Sequence, residues 1–141
     1  MTPRVPTDET IKRVLEKSRA MRDKRATAAV SLVLHLSLAP CRLERLRWTD
    51  LNPETATIAF RGRDGSQVRP ITPLIVQQLL ELKRTSRTPL IFGKPDREAP
   101  SLSALVTAVL AQAGAPHWRP SDLVRWSRLQ TAQVRRALAT V

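Results

Sequence analysis

The 141-residue sequence contains no tyrosine, a single cysteine, four glycines and half as many acids as bases. A lone Cys41 excludes a disulfide and a thiolate metal site, and points to a reducing, cytoplasmic setting. Two histidines, His35 and His117, with scattered acids give no metal-ligand constellation, so neither metal nor cofactor is expected. There is no Gly-rich phosphate loop and no Gly-x-Ser-x-Gly elbow. The longest apolar stretch, Ala28 to Pro40, is interrupted by Ser31, His35 and Ser37 and is too short to span a bilayer. The N-terminus lacks the apolar region of a signal peptide. A membrane is therefore not an expected partner.

What the sequence does have is positive charge. It carries 24 Lys and Arg against 12 Asp and Glu, a formal net charge of +12, and 19 of the 24 bases are arginine. Arginine forks onto phosphate oxygens better than lysine does. A GC-rich genome also favours arginine and alanine, but it does not forbid acids, so it accounts less well for the net charge. An anionic polymer is the natural partner, because each neutralised phosphate releases counterion and adds affinity.

About two-fifths of the chain is apolar, enough for one globular domain with a sizeable core. Thr7 followed by Asp8 and Glu9 predicts a helix N-terminus, with Ile11, Val14 and Leu15 on one stripe as far as Ser18. A basic link, Arg19 to Arg25, leads to a helix from Ala26 to Leu38 that is apolar almost all round, the centre of the core. Pro40 is expected to break it. A short helix carrying Leu43 and Leu46 follows and ends near Trp48. Asn52-Pro53-Glu54 reads as a turn, Ala56 to Phe60 as a strand, Asp64-Gly65 as a hairpin turn and Gln67 to Ile71 as the returning strand. Thr72 and Pro73 start a helix whose buried face holds Ile75, Leu79, Leu80 and Leu82. Pro89 to Phe92 is a short apolar segment. Ser101 opens another helix that stops at Gly114, and Pro120-Ser121-Asp122 caps a last basic helix. The fold class is α+β: one mostly helical domain with a small antiparallel hairpin or sheet.

Three stretches carry a resemblance. Leu46-Arg-Trp-Thr-Asp-Leu51 with the strand after it, Arg61-Gly-Arg-Asp-Gly-Ser-Gln-Val-Arg-Pro-Ile71, and Ala113-Gly-Ala-Pro116 with Arg119-Pro-Ser-Asp-Leu123 occur in this order. They resemble "LRWSDI", the hairpin "GKGGKxRxVPL" and "AGI…THDLRHT" of the tyrosine recombinase (phage integrase) catalytic domain, over roughly residues 3 to 139. The resemblance implies that fold, with duplex DNA as the partner. It also implies that the family's N-terminal helical domain is missing, since only a few residues precede the first helix, and that the chain ends about where the segment bearing the nucleophile would begin.

The family's chemistry uses a tyrosine that attacks a DNA phosphate, with two arginines, a hairpin lysine and further donors stabilising the charge. Such preorganised donors are each worth roughly 10²–10³ in rate. Here tyrosine is absent. Aligned without gaps from Trp48, the first arginine falls on Ala39; a three-residue deletion instead matches Leu38-Ala-Pro-Cys-Arg42 to "LTGLR" and restores Arg42. Both registers stay open. In the second box, His-x-Leu-Arg becomes Ser121-Asp-Leu-Val124, with Arg125 one place late and about 100° round a helix. The hairpin lysine becomes Arg63, a poorer proton donor. Catalysis in cis is not expected, so the reading is an inactive integrase-like DNA-binding protein, an accessory or regulatory factor of a mobile element. The alternatives are an interaction partner or inhibitor of a full-length recombinase, and a subunit completed in trans.

The candidate DNA contacts are Arg61, Arg63 and Arg69 on the hairpin, Arg42 and Arg45 on the short helix, and Arg119, Arg125 and Arg128 near the last helix. Helical spacing sets Arg47 apart from Arg42 and Arg45. Trp48 is expected in the core; Trp118 and Trp126 suit packing better than base stacking. His35 reads as a core or packing histidine.

Overall fold

A computed structural model describes residues 8–62, 65–94, 96–115 and 117–139, without the side chains of 131–139. Among the described residues, six α-helices and a three-stranded antiparallel sheet are arranged with one helix at the centre. That helix, α2 (Arg25–Leu36), buries residues on successive positions, among them Ala28, Ala29, Val30, Leu32 and Val33. It packs against α1 (Asp8–Ala20), α4 (Pro73–Thr85), α5 (Leu102–Gln112) and α6 (Pro120–Ala139). A helix that is apolar all round has nowhere else to go. Thr7, the expected first cap, lies outside the described residues.

The ends of α2 depart from expectation at both sides. The basic link shortens to residues 21–24, because α1 continues to Ala20 and Arg25 already belongs to α2. The helix then stops at Leu36, before Pro40: Ser37 takes a left-handed conformation (φ 57°) and its N–H donates to the Val33 carbonyl. Ser37 is held there by a 2.7 Å hydrogen bond between its hydroxyl and that of the buried Ser127 on α6. Ser127 also donates to the Leu34 carbonyl. Pro40 starts the next helix, α3 (Pro40–Leu43), where its missing N–H is no loss.

α3 is shorter than the sequence suggests. Leu43 and Leu46 are both buried, but the chain leaves the helix after Leu43 and is extended at Arg47. A backbone pairing is the cause. The Trp48 N–H donates to Pro89 O at 3.0 Å and the Ile91 N–H donates to Leu46 O at 2.9 Å, with Arg47 bridged to Leu90. The apolar segment at Pro89–Phe92 thus holds residues 46–48 in an extended course.

A single 3₁₀ turn (Trp48–Asp50) leads into β1 (Leu51–Asn52), a two-residue strand not anticipated from sequence. The Asn52 side chain accepts from the N–H groups of Glu54 and Thr55, closing the expected turn. Strands β2 (Thr57–Gly62) and β3 (Gly65–Pro70) pair in register from Thr57↔Pro70 to Gly62↔Gly65. The connecting pair, Arg63 and Asp64, lies outside the described residues. Ile58 is the sheet's buried anchor.

Local capping signals hold. Thr72 Oγ1 accepts from the Ile75 N–H, Ser101 Oγ from the Ala104 N–H, and Gly114 (φ 79°) follows α5. On α4 the buried set is Ile75, Val76, Leu79 and Leu82, which keeps helical spacing; Leu80 is exposed. His35 is also exposed rather than core, and its Nε2 lies 3.0 Å from Pro70 O, tying α2 to the end of β3.

Candidate nucleic-acid interface

An open groove of about 780 Å³ runs between the α3–β1 segment and the hairpin. Its apolar floor is Leu38, Leu46, Ala59 and Phe60, and its charged wall is Arg42, Arg45, Arg47 and Arg61. All four guanidinium side chains are exposed. The lining also holds one acid, Asp50, whose carboxylate accepts the Arg47 backbone N–H at 2.9 Å and keeps its charge. Four guanidinium charges outweigh one carboxylate, so the groove offers a net positive surface to an anion.

Arg47 corrects the helical reading of this segment. Because α3 ends at Leu43, the rule of three-and-four spacing does not reach residue 47, and the extended backbone turns Arg47 into the same groove as Arg42 and Arg45. The missed signal was the apolar run at Pro89–Phe92, which supplies the pairing strand. Of the two registers for the first arginine, the groove receives Arg42, whereas Ala39 is half-buried and packs against the core.

The hairpin arginines separate. Successive strand side chains face opposite ways, and the register pairs Arg61 with Ser66 and Arg69 with Ile58. Arg61 and Ser66 line the groove. Arg69 leaves from the other face and is exposed there. Arg63 lies outside the described residues.

On α6 and its approach, Arg119, Arg125 and Arg128 are exposed and none lines the groove. The start of the helix is fixed by Asp122, whose carboxylate accepts the Arg119 N–H at 2.8 Å. Among the described side chains of α6, Leu123, Val124 and Ser127 are buried. Val124, standing where the recombinase pattern has its second arginine, is in the core. Trp118 is buried and Trp126 is half-buried against the core, in keeping with packing roles. Trp48 is half-buried; its Nε1 donates to Ser86 Oγ at 3.2 Å and Lys83 Nζ sits 5.9 Å from its ring centroid. Among the described residues no three His, Cys, Asp or Glu side chains group as metal ligands, and no helix is long and apolar enough to cross a membrane.

Comparison with solved structures follows the same outline. The chain superposes on XerA recombinase with TM-score 0.71 and 18% identity, covering 88% of this chain and 48% of that one. It matches the integrase of mycobacterium phage Brujita with TM-score 0.70 and 20% identity, covering 90% of this chain and 43% of the integrase. It matches XerH site-specific recombinase, solved bound to its difH substrate in a pre-cleavage complex, with TM-score 0.76 and 16% identity, covering 95% and 44%. No protein-family model and no curated protein sequence matches the chain. The fold is that of the tyrosine recombinase catalytic domain, and the chain spans about half the length of these structures.

Proposed function

We propose that this chain is an integrase-like protein that grips duplex DNA through the Arg42–Arg45–Arg47–Arg61 groove without cleaving it, as an accessory or regulatory factor of a mobile element. The observation that carries this reading is the convergence on one open groove of four arginines that have no ion pair among the described residues, in a fold whose solved examples include DNA-bound recombinases. Arg69, Arg119, Arg125 and Arg128 would add phosphate contacts outside the groove, and Arg63, which follows Arg61 in the sequence by two positions, is a further candidate contact.

The absence of catalysis in cis rests on chemistry. The sequence holds no tyrosine to attack phosphorus. A buried valine at residue 124 cannot donate to a developing charge, and Arg125 leaves the helix about 100° away. The test is a duplex-binding titration at several salt concentrations, with Arg42, Arg45 and Arg61 changed to Ala, alongside an assay for a covalent DNA adduct. A flat salt response would sink the binding reading, and an adduct formed by the chain alone would sink the other half.

A second reading, docking to a full-length recombinase, draws on the exposed apolar side chains Val68, Leu74 and Leu80 on β3 and α4. It predicts co-purification with such a recombinase that survives loss of the groove arginines. Arg42 in the groove also keeps open completion in trans, which predicts an adduct only in the mixture.

A further inference from the structure

We propose a second anion site, separate from the DNA groove: a pocket of about 530 Å³ that takes a phosphate-bearing ligand of nucleotide size. It is walled by the α1–α2 link, the end of α4 and the Thr88–Lys94 turn. Its volume falls in the range of roughly 300–1,000 Å³ that small-molecule sites occupy.

The charge of the lining points to the ligand. Arg22, Lys24, Arg87 and Lys94 are exposed and have no ion pair or hydrogen bond among the described residues. The carboxylate in the lining, Asp23, is bound to Arg25 at 2.7 Å. Burial opposes ionisation of Asp23, but the side-chain and backbone hydrogen bonds from Arg25 and its charge outweigh that, holding the carboxyl below its usual range. Asp23 thus stays charged and spent on Arg25, and four cations remain around one concavity. Like charges gathered in this way raise the local potential and draw in anions.

Two of the four cations are mounted on a closed turn. Thr88 Oγ1 donates to Leu90 O at 2.9 Å, and the Gly93 N–H returns to the same carbonyl at 3.3 Å. A Cβ on Gly93 would come within 2.0 Å of Thr88 Oγ1, so only glycine lets this turn close. Arg87 and Lys94 flank the closed turn on either side. The buried side chains of Leu82 and Ile91 supply an apolar floor, suited to a ligand that carries more than bare phosphate.

The two sites stand back to back. Leu46 lines the DNA groove, Ile91 lines this pocket, and the 2.9 Å bond from the Ile91 N–H to Leu46 O joins them. No cation is common to both linings. The proposal therefore stands or falls independently of DNA binding.

Trp48 provides the readout, because its indole N–H donates to Ser86 Oγ and Ser86 lines the pocket. The experiment is an NMR titration of the full chain with inorganic pyrophosphate and with ATP. The Trp48 indole resonance is expected to shift and saturate while those of Trp118 and Trp126 stay put. The double variant R87A/K94A should weaken this binding by about tenfold or more, and R42A/R61A should leave it unchanged. No Trp48 shift, an equal shift in R87A/K94A, or equal loss in R42A/R61A would each overturn the proposal. An oligonucleotide with a 5′-phosphate, compared with its 5′-hydroxyl twin, separates the two sources of such a group. A shift specific to the 5′-phosphate supports the site with a DNA end as source; a shift with pyrophosphate or ATP alone supports it with a free ligand.

Discussion

Arg25 is 2% exposed, and its Nη2 donates both to the Asp23 carboxylate at 2.7 Å and to the Pro100 carbonyl at 3.0 Å. One guanidinium thus joins the α1–α2 link to the loop before α5, across 75 residues of sequence. A buried charge of this kind is tolerated only while its partners hold.

Asp23→Ala should therefore destabilise the fold by about 3–5 kcal/mol, the cost of leaving a buried charge unpaired. The double variant Asp23→Ala with Arg25→Met should recover much of that loss, since no charge is then buried. Urea denaturation of the three proteins measures both effects.

The same pair gives a pH dependence. The Asp23 carboxyl titrates below its ordinary value in the folded state, so the unfolded chain binds the proton first. Its contribution is fully present above pH ~4 and is lost as pH falls through the lower folded value. Denaturation midpoints taken from pH 6 to pH 2.5 should fall in the native chain more steeply than in Asp23→Ala.

Groove and hairpin arginines should separate in salt titrations. Each of Arg42→Ala, Arg45→Ala and Arg61→Ala is expected to lower duplex affinity and to flatten the logarithmic salt slope by about 0.9. Arg69→Ala, on the opposite face of the hairpin, should change both less. Equal effects at Arg61 and Arg69 would remove the groove as the main contact.

Placing an arginine at residue 124 is not expected to confer DNA cleavage. Val124→Arg forces a charge into the interface of α6 with the core and should cost about 3 kcal/mol or more. Thermal unfolding reads the cost, and the adduct assay should stay blank.

Ala56 adopts a left-handed conformation, φ 51°, at the turn before β2, while its carbonyl accepts the Ile71 N–H. Relieving the Cβ clash with Ala56→Gly should stabilise the fold by about 0.5–1 kcal/mol, net of glycine's greater freedom in the unfolded chain. A higher melting temperature is the expected sign.

Much of the fold was legible because its signals are local. The caps Thr72 and Ser101, the stop near Gly114 and the all-apolar α2 each depend on residues within a turn or two. The helical domain and hairpin followed from these, and the order of motifs pointed to the recombinase catalytic fold that the solved structures share. Features set by distant partners were not legible. Ser37 ends α2 with the help of Ser127, ninety positions on, and Arg25 is buried through Pro100. Arg47 turns into the groove because Leu90 pairs with it. Spacing along a helix could not anticipate any of these, and for Arg47 it gave the opposite answer.

The Leu46–Trp48 pairing with Pro89–Ile91 carries a consequence for how such a surface changes over generations. Its hydrogen bonds join peptide groups, so they are indifferent to which side chains residues 89–91 display, provided that the chain stays extended and an N–H remains at residue 91. Pro89 and Leu90 are free to drift in identity while Arg47 opposite keeps its aim, whereas Ile91 is held apolar by the core in which it is buried. An inserted residue between Leu43 and Arg47 has no such latitude: it would shift the pairing by one and turn the Arg47 guanidinium to the far side. Length, more than composition, is what this stretch must conserve.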